Sequence, residues 1–435
     1  MTEPQQPPVS SSEDAEPLLD TANSASQHFA VLHVAFMVLC AYVSVIVFGT
    51  TDMDLLIGKG VKLPVVDVTV PIVGFYAFAP YLVVLVHFNL LLQLQLLSRQ
   101  LYAFDAAAPK DERIGGLRDR LHIFPYTYYL VGRPGPIVRR LLGVVVGITL
   151  LVLPLATLLV LQLRFLAYQD QPVTWAQRLA VWFDVALVIA LWPVIMDRGD
   201  RWRDYLHRLV SRLRRRWRTG LAWSAVWVGV VAPGFATTRE RYLAALAAIP
   251  GLLILLGMSR GLTGLRRWWH GRRREPEGAI LVDAPLVRGM PGLLLIVALG
   301  VPLPLGLLAD GEWWEEELLG ANVVASEVVY DRFRFLDLSE QVLLAKPAKP
   351  EIIAQFREGD PQKVKEALKQ VERVKLLRRS LRGASLAGAL LPGADLRGAQ
   401  LRGANLMTAQ LQGADLRQAQ LQGANLQLVQ LQAPI

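Results

Sequence analysis

One cysteine in 435 residues, six histidines and a charged fraction of 19% leave little material for chemistry. A single thiol, Cys40, excludes a disulfide framework and a cysteine-rich metal site, and because it falls in an apolar run it says nothing of the compartment. The histidines are scattered, and no Walker loop, dinucleotide fingerprint, HExxH or GxSxG elbow is present. No catalytic residue, metal or cofactor is therefore expected, and the chain does not read as an enzyme. "GKGVK", from Gly58, is a loop with two lysines and no phosphate-binding context. Residues 1–27 lack Lys and Arg altogether. Their Pro, Ser, Gln and acidic residues are too polar to bury a core, which predicts a disordered acidic tail. With no basic leader close before the first apolar run, no cleavable signal peptide is expected.

What the chain has in excess is apolar surface. A hydrophobic fraction of 53% and a mean hydropathy of +0.34 exceed those of an ordinary soluble protein. Runs at 29–49, 70–97, 141–161, 179–196, 221–235, 242–258 and 290–308 approach the ~20 residues a bilayer-crossing helix needs. The fifth is short and the last contains Pro302 and Pro304, so six and seven spans both fit. The expected fold of 28–308 is an α-helical transmembrane bundle. Loops 98–140, 197–220 and 259–289 carry eight, nine and seven basic residues. By the bias of Lys and Arg toward the cytoplasm, those loops and the N-terminus lie inside. A crossing seventh segment puts the C-terminal part of the chain outside; a re-entrant one keeps it in the cytoplasm.

Two basic stretches, "RDYLHRLVSRLRRRWRTG" and "LRRWWHGRRREPEG", interleave Arg with Trp and Tyr. Guanidiniums meeting anionic head groups and indoles at the interface make membrane lipids their expected partner. Every such cluster abuts a span, which argues against nucleic acid. Within the spans, ionisable and amide side chains are costly and face protein or water. Asp184, His33, His87, Asn89 and Gln93 form the candidate intramembrane polar site. Interhelical hydrogen bonding accounts for such residues; a proton or ion pathway is the functional alternative.

The C-terminal segment has a different grammar. Leucine recurs every five residues at Leu381, Leu386, Leu391, Leu396, Leu401, Leu406, Leu411, Leu416, Leu421, Leu426 and Leu431, with alanine two residues earlier from Ala384 to Ala424. A five-residue step walks around a helix and alternates faces on a strand, so the backbone has to turn once per repeat. "ADLRG", "ANLMT", "ADLRQ" and "ANLQL" resemble the unit of the pentapeptide-repeat proteins. The resemblance implies a right-handed quadrilateral β-helix over 378–435, four pentapeptides to a coil, and a multi-pass protein of the bacterial plasma membrane. Residues twenty apart then stack, Asp395 over Asp415, Arg397 over Arg417 and Asn405 over Asn425. Leu390, Pro392 and Val429 depart from the pattern without breaking it. Six arginines from Arg378 onward oppose Asp395 and Asp415, a net charge of +4 that speaks against the DNA mimicry of some soluble family members.

Residues 309–377 read as a soluble connector. "DGEWWEEELLGANVV" suits the membrane interface, "RFRFLDLSEQVLL" alternates like a short strand, and "GDPQKVKEALKQVERVKLL" has Asp360 placed as a helix N-cap. That helix is expected to cover the first coil; no matching cap follows Leu431. Coil edges without charge at that end point to self-association, with a shortened or frayed last coil and capture of a different partner as the alternatives. The pattern as a whole fits a membrane-anchored scaffold for an unidentified protein partner, with a transporter or channel carrying accessory repeats as the alternative.

Overall fold

The computed structural model describes residues 12–58, 60–63, 68–108, 116–132, 134–196 and 335–431. The spans expected at 221–235, 242–258 and 290–308, and both Arg/Trp-rich stretches, lie outside the described residues. In chain order the elements are α1 (Ser12–Gly49), α2 (Asp52–Ile57), the antiparallel hairpin β1 (Gly60–Leu63) and β2 (Val68–Pro71), α3 (Ile72–Ala107), α4 (Pro125–Leu130), α5 (Pro136–Gly147), α6 (Leu153–Leu166), α7 (Gln171–Met196), α8 (Pro350–Glu358) and α9 (Pro361–Gln370). A π turn over Ile148–Val152 joins α5 to α6. The chain divides into two compact units.

In the first unit, which holds Met1–Ser44, Pro80–Leu159 and the start of Gln177–Pro304, the helices are apolar on two faces. α1 buries Phe29, Phe36, Cys40 and Val43 and leaves Val31, Val34 and Val38 exposed. α3 buries Leu90, Leu91 and Leu94 while Leu85 and Leu96 are exposed. An exposed apolar stripe of this length on several helices is what a bilayer covers. Four stretches among the described residues, Ala15–Gly49, Ile72–Ala107, Pro136–Leu166 and Pro172–Met196, are long and apolar enough to cross a membrane.

The tail expected to be disordered is helical from Ser12 onward. Ala15, Leu19, Ala22 and Ser26 recur at helical spacing and are buried, a stripe masked in composition by the acids around it. Polar contacts lock this extension to α4 and the segment before it. Asn23 Oδ1 accepts from His122 N at 2.7 Å, Ser26 Oγ meets Thr127 Oγ1 at 2.8 Å, and Arg120 pairs with Glu16 at 2.7 Å. Arg118, one of the eight basic residues of that loop, is buried against Asp105.

The second unit holds Val45–Ala79, Val160–Ala176 and the repeats. Here parallel bridges join residues twenty apart: Ser380 to Gln400, Ser385 to Asn405, Leu390 to Gln410, Asp395 to Asp415, Gln400 to Gln420, Asn405 to Asn425 and Gln410 to Gln430. The leucines from Leu381 to Leu411 are buried on the axis, with Ala384, Ala389, Ala394, Ala399, Ala404 and Ala409 beside them. Each such leucine stabilises the stack by roughly 1.5–3 kcal/mol relative to exposure. Leu416 and Leu421 are half-buried, and Leu426 and Leu431 are 40% and 51% exposed.

The stack begins earlier than the boundary at 378. Asp337 bridges Ser385 and Val342 bridges Leu390, which sets Leu338 below Leu386 and Leu343 below Leu391. Lys375 bridges Asp395, setting Leu376 below Leu396. The first coil is therefore split, two sides from 336–344 and two from 373–382. Between them α8 and α9 are extruded from one corner, whose base is closed by the antiparallel bridge of Leu344 to Arg373 and by Ala345 N donating to Glu372 O. Neither helix covers the end of the stack. Phe356, Val364 and Ala367 pack on Leu390, on a side wall, and Gln412 Nε2 donates to Phe356 O at 3.4 Å. Leu390, a departure from the repeat, is the apolar foothold of this helical pair. The N-cap expected at Asp360 forms, its Oδ1 accepting from Gln362 N at 3.0 Å.

Candidate functional site

Three arrangements are candidates for function: the polar walls of the stack, the seat of its first coil, and a buried pair among the spans.

On the wall that carries Asp395 and Asp415, like charges stack directly, and arginines two residues on offset the repulsion. Arg397 Nε and Nη2 reach Asp395 at 2.7 Å each, and Arg417 Nη2 reaches Asp415 at 2.6 Å. Arg397 also lies 3.7 Å from Asp415, tying one coil to the next. The hydrogen bonds from Arg417 hold the Asp415 carboxyl down at about 2, and Arg397 does the same for Asp395 in direction. The corners between sides use left-handed backbone. Most are glycine, but Thr408, Gln418 and Leu428 adopt φ of 58°, 60° and 56° without its freedom.

The first coil is seated on two connections between apolar helices, those after α1 and after α6. α2 opens with a capping box at Thr51 and Asp54. Its Asp52 takes an ion pair from Arg164 at 2.6 Å and accepts from Asp337 N at 2.7 Å. Gln169 bridges to the coil twice, its Nε2 donating to Arg382 O at 3.0 Å and its Oε1 accepting from Ser380 Oγ at 2.5 Å. The Arg379 guanidinium lies 3.5 Å from the centroid of the Tyr168 ring, and burial there lowers its proton affinity from the ordinary value. Leu56 and Ala167 join the same apolar cluster as Leu336, Leu338, Leu376 and Leu381. Loop residues thus supply the lid that the connector helix was expected to form. None of Asp52, Arg164, Tyr168 or Gln169 was signalled by sequence, since each is an isolated residue with no repeating pattern around it. The half-coil at 336–344 did leave a signal: Leu338 and Leu343 five apart, with Leu336 two residues before the first.

Of the intramembrane candidates, the structure brings Asp184 and His87 together, at 2.6 Å from Oδ1 to Nδ1. Asp184 is central in α7, which begins at Gln171, and not near the end of a span starting at 179. His87 Nε2 donates to Leu150 O at 3.0 Å, in the π turn. That carbonyl can only accept, so Nε2 carries a hydrogen and Nδ1 is the ring atom turned to Asp184. Phe36 stacks on the imidazole at 5.4 Å with a 10° tilt, so α1, α3, the π turn and α7 all converge on His87. His33 belongs elsewhere, stacked on Phe29 and edge-on to Phe124, its Nε2 buried without a hydrogen-bond partner. Asn89 is exposed on the face of Leu85, and Gln93 is half-buried; neither has a contact to the pair. Phe36 and the π turn escaped the sequence reading because neither has a local signature.

Apolar helices fit to cross a membrane and a wall of twenty-residue coils define a membrane-associated repeat protein. The model of the pentapeptide repeats matches residues 380–406 and 409–432, in eight copies, consistent with a pentapeptide-repeat protein. It leaves out residues 336–344 and 373–379 of the split first coil. No curated protein and no solved structure matches the chain.

Proposed function

We propose that this chain is a membrane-anchored scaffold in a bacterial plasma membrane, with its N-terminus in the cytoplasm. A multi-pass α-helical bundle fixes the location, and a right-handed quadrilateral β-helix presents a rigid polar wall to a protein partner or, through its last coil, to a second copy. The observation that carries this reading is the seat: the first coil is engaged by Asp52, Tyr168 and Gln169, which leaves the Asp/Arg wall exposed. The chain acts by position rather than by catalysis. Its basic loops rest on anionic head groups, and nucleic acid has no part in it. A photo-crosslinking residue at Arg417, tested in the native membrane, is expected to give a discrete adduct that Arg397→Glu abolishes. No adduct from any wall position would refute the scaffold.

A second reading, a transporter or channel with accessory repeats, has the buried contact of His87 with Asp184 in its favour. Its test is a pH-driven flux in proteoliposomes that Asp184→Asn removes. The scaffold reading expects no flux and unimpaired partner binding in that variant.

A further inference from the structure

We infer that the coil stack stands on the extracytoplasmic face of the membrane, seated on the loops that join the first span to the second and the third to the fourth. This rests on the membrane reading above and adds a side to it. A crossing helix puts its two ends on opposite faces, and at ~1.5 Å per residue each of the four long stretches exceeds the ~30 Å hydrocarbon core. α1 delivers the chain to α2 and the hairpin, and α3 carries it back to the loop before α4. α5 and α6 return it to 167–170, and α7 takes it to Met196. Loops 50–71 and 167–170 therefore share one face, and loop 108–135 shares the other with Met196. Tyr102, near the end of α3, donates to Met196 O at 3.0 Å, as two helix ends on one face require.

The charges of the two faces differ. Segment 98–140 has eight Lys and Arg; 50–71 has Lys59 and Lys62 against three Asp, and 167–170 has none. The basic face is cytoplasmic by the Lys/Arg bias, so the other faces outward. Among the described residues, the loop contacts of the stack are made to that outer pair. Asp337, Arg379, Ser380 and Arg382 of the first coil meet Asp52, Tyr168 and Gln169. Asp52 is held for this by Arg164, and Leu56 and Ala167 close the apolar end. The chain leaves α7 at Met196 inside and enters the stack at Phe335 outside.

Single-cysteine variants test the side directly. Arg402→Cys on an exposed wall and Arg120→Cys in the basic loop, each with Cys40→Ala, are treated in sealed spheroplasts with a membrane-impermeant maleimide. Label at the Arg402→Cys position before lysis, and at the Arg120→Cys position only after it, is the expected result. Label that reaches the Arg402→Cys position only on lysis, or both positions reacting in the same state, overturns the inference. Retained protease resistance of the stack shows that neither variant has unfolded it. A chain that fractionates away from the membrane overturns the membrane reading itself, and does so before any labelling.

Discussion

α1 and the coil stack are both rich in apolar residues, yet only one of them tells its reader where those residues point. In the stack the leucines of the five-residue register from Leu381 to Leu411 go to the axis and the charged residues to the wall, because water surrounds it and alternation is what water enforces. Along α1 a valine is as acceptable outside as a phenylalanine inside, since lipid and protein interior are alike to it. Direction in the spans is set instead by a few polar residues, His87 and Asp184 above all. In a membrane the rare polar residue carries the information that the apolar one carries in water.

The sharpest way to break this contrast is to place charge on each kind of apolar site. Leu406→Arg puts a guanidinium on the axis of the stack and should abolish its protease resistance, a loss of more than about 4 kcal/mol. Arg402→Ala, on the wall, should change the melting temperature of the stack by no more than a degree or two, and comparable damage from both would show the inward register to be wrong.

A smaller effect is expected where the stack has an apolar wall residue by design. Leu390→Gln restores the polar type found at Gln410 and Gln430, and should free α8 and α9 at a cost of about 1.5–3 kcal/mol. Hydrogen exchange should accelerate in 350–370 and stay slow in the coils; uniform acceleration would mean that the helices are needed to hold the stack together.

Corner residues should give changes near 1 kcal/mol in opposite directions. Gly403 has φ of 65° and open space around it, so Gly403→Ala adds strain alone, whereas Gln418→Gly relieves it at φ of 60°. Thermal unfolding of the two variants should bracket the parent; shifts of the same sign would exclude backbone strain as the cause.

The smallest effect is electrostatic. The Asp415 carboxyl is depressed to about 2, so its contribution is present above the unfolded value of ~3.9 and fades as pH falls from there toward 2. Arg417→Ala should let the carboxyl titrate near its ordinary value, read by carbon NMR of Asp415, and should barely move stability at neutral pH because the pair is exposed. An unchanged titration would assign the depression to Arg397 instead.

Much of this was legible beforehand, and the gaps have physical causes. The repeat register from Leu381 to Leu431 could be read because one residue type repeats in one environment. Four of the expected spans correspond to long helices. The helical stretch at 12–27 was hidden because composition averages over faces, while Leu19 and Ser26 act by facing one way. The first coil was hidden because a helical pair interrupts it, and sequence periodicity is blind across an interruption. The seat and the partner of Asp184 were beyond reach, since each is a meeting of residues distant in the chain: Gln169 with Arg382, and Asp184 with His87.

The split coil also fixes an order of assembly. Later coils join residues twenty apart and can zip together as local events, but Asp337 waits for Ser385, and its hold on Asp52 closes a separation of 285 residues. During synthesis the helices before them have to be in place, with Leu56 and Ala167 uncovered, before the repeats arrive to cover them. A chain that lacks the repeats therefore keeps that apolar step bare, and its exposed surface favours aggregation over a defined fold.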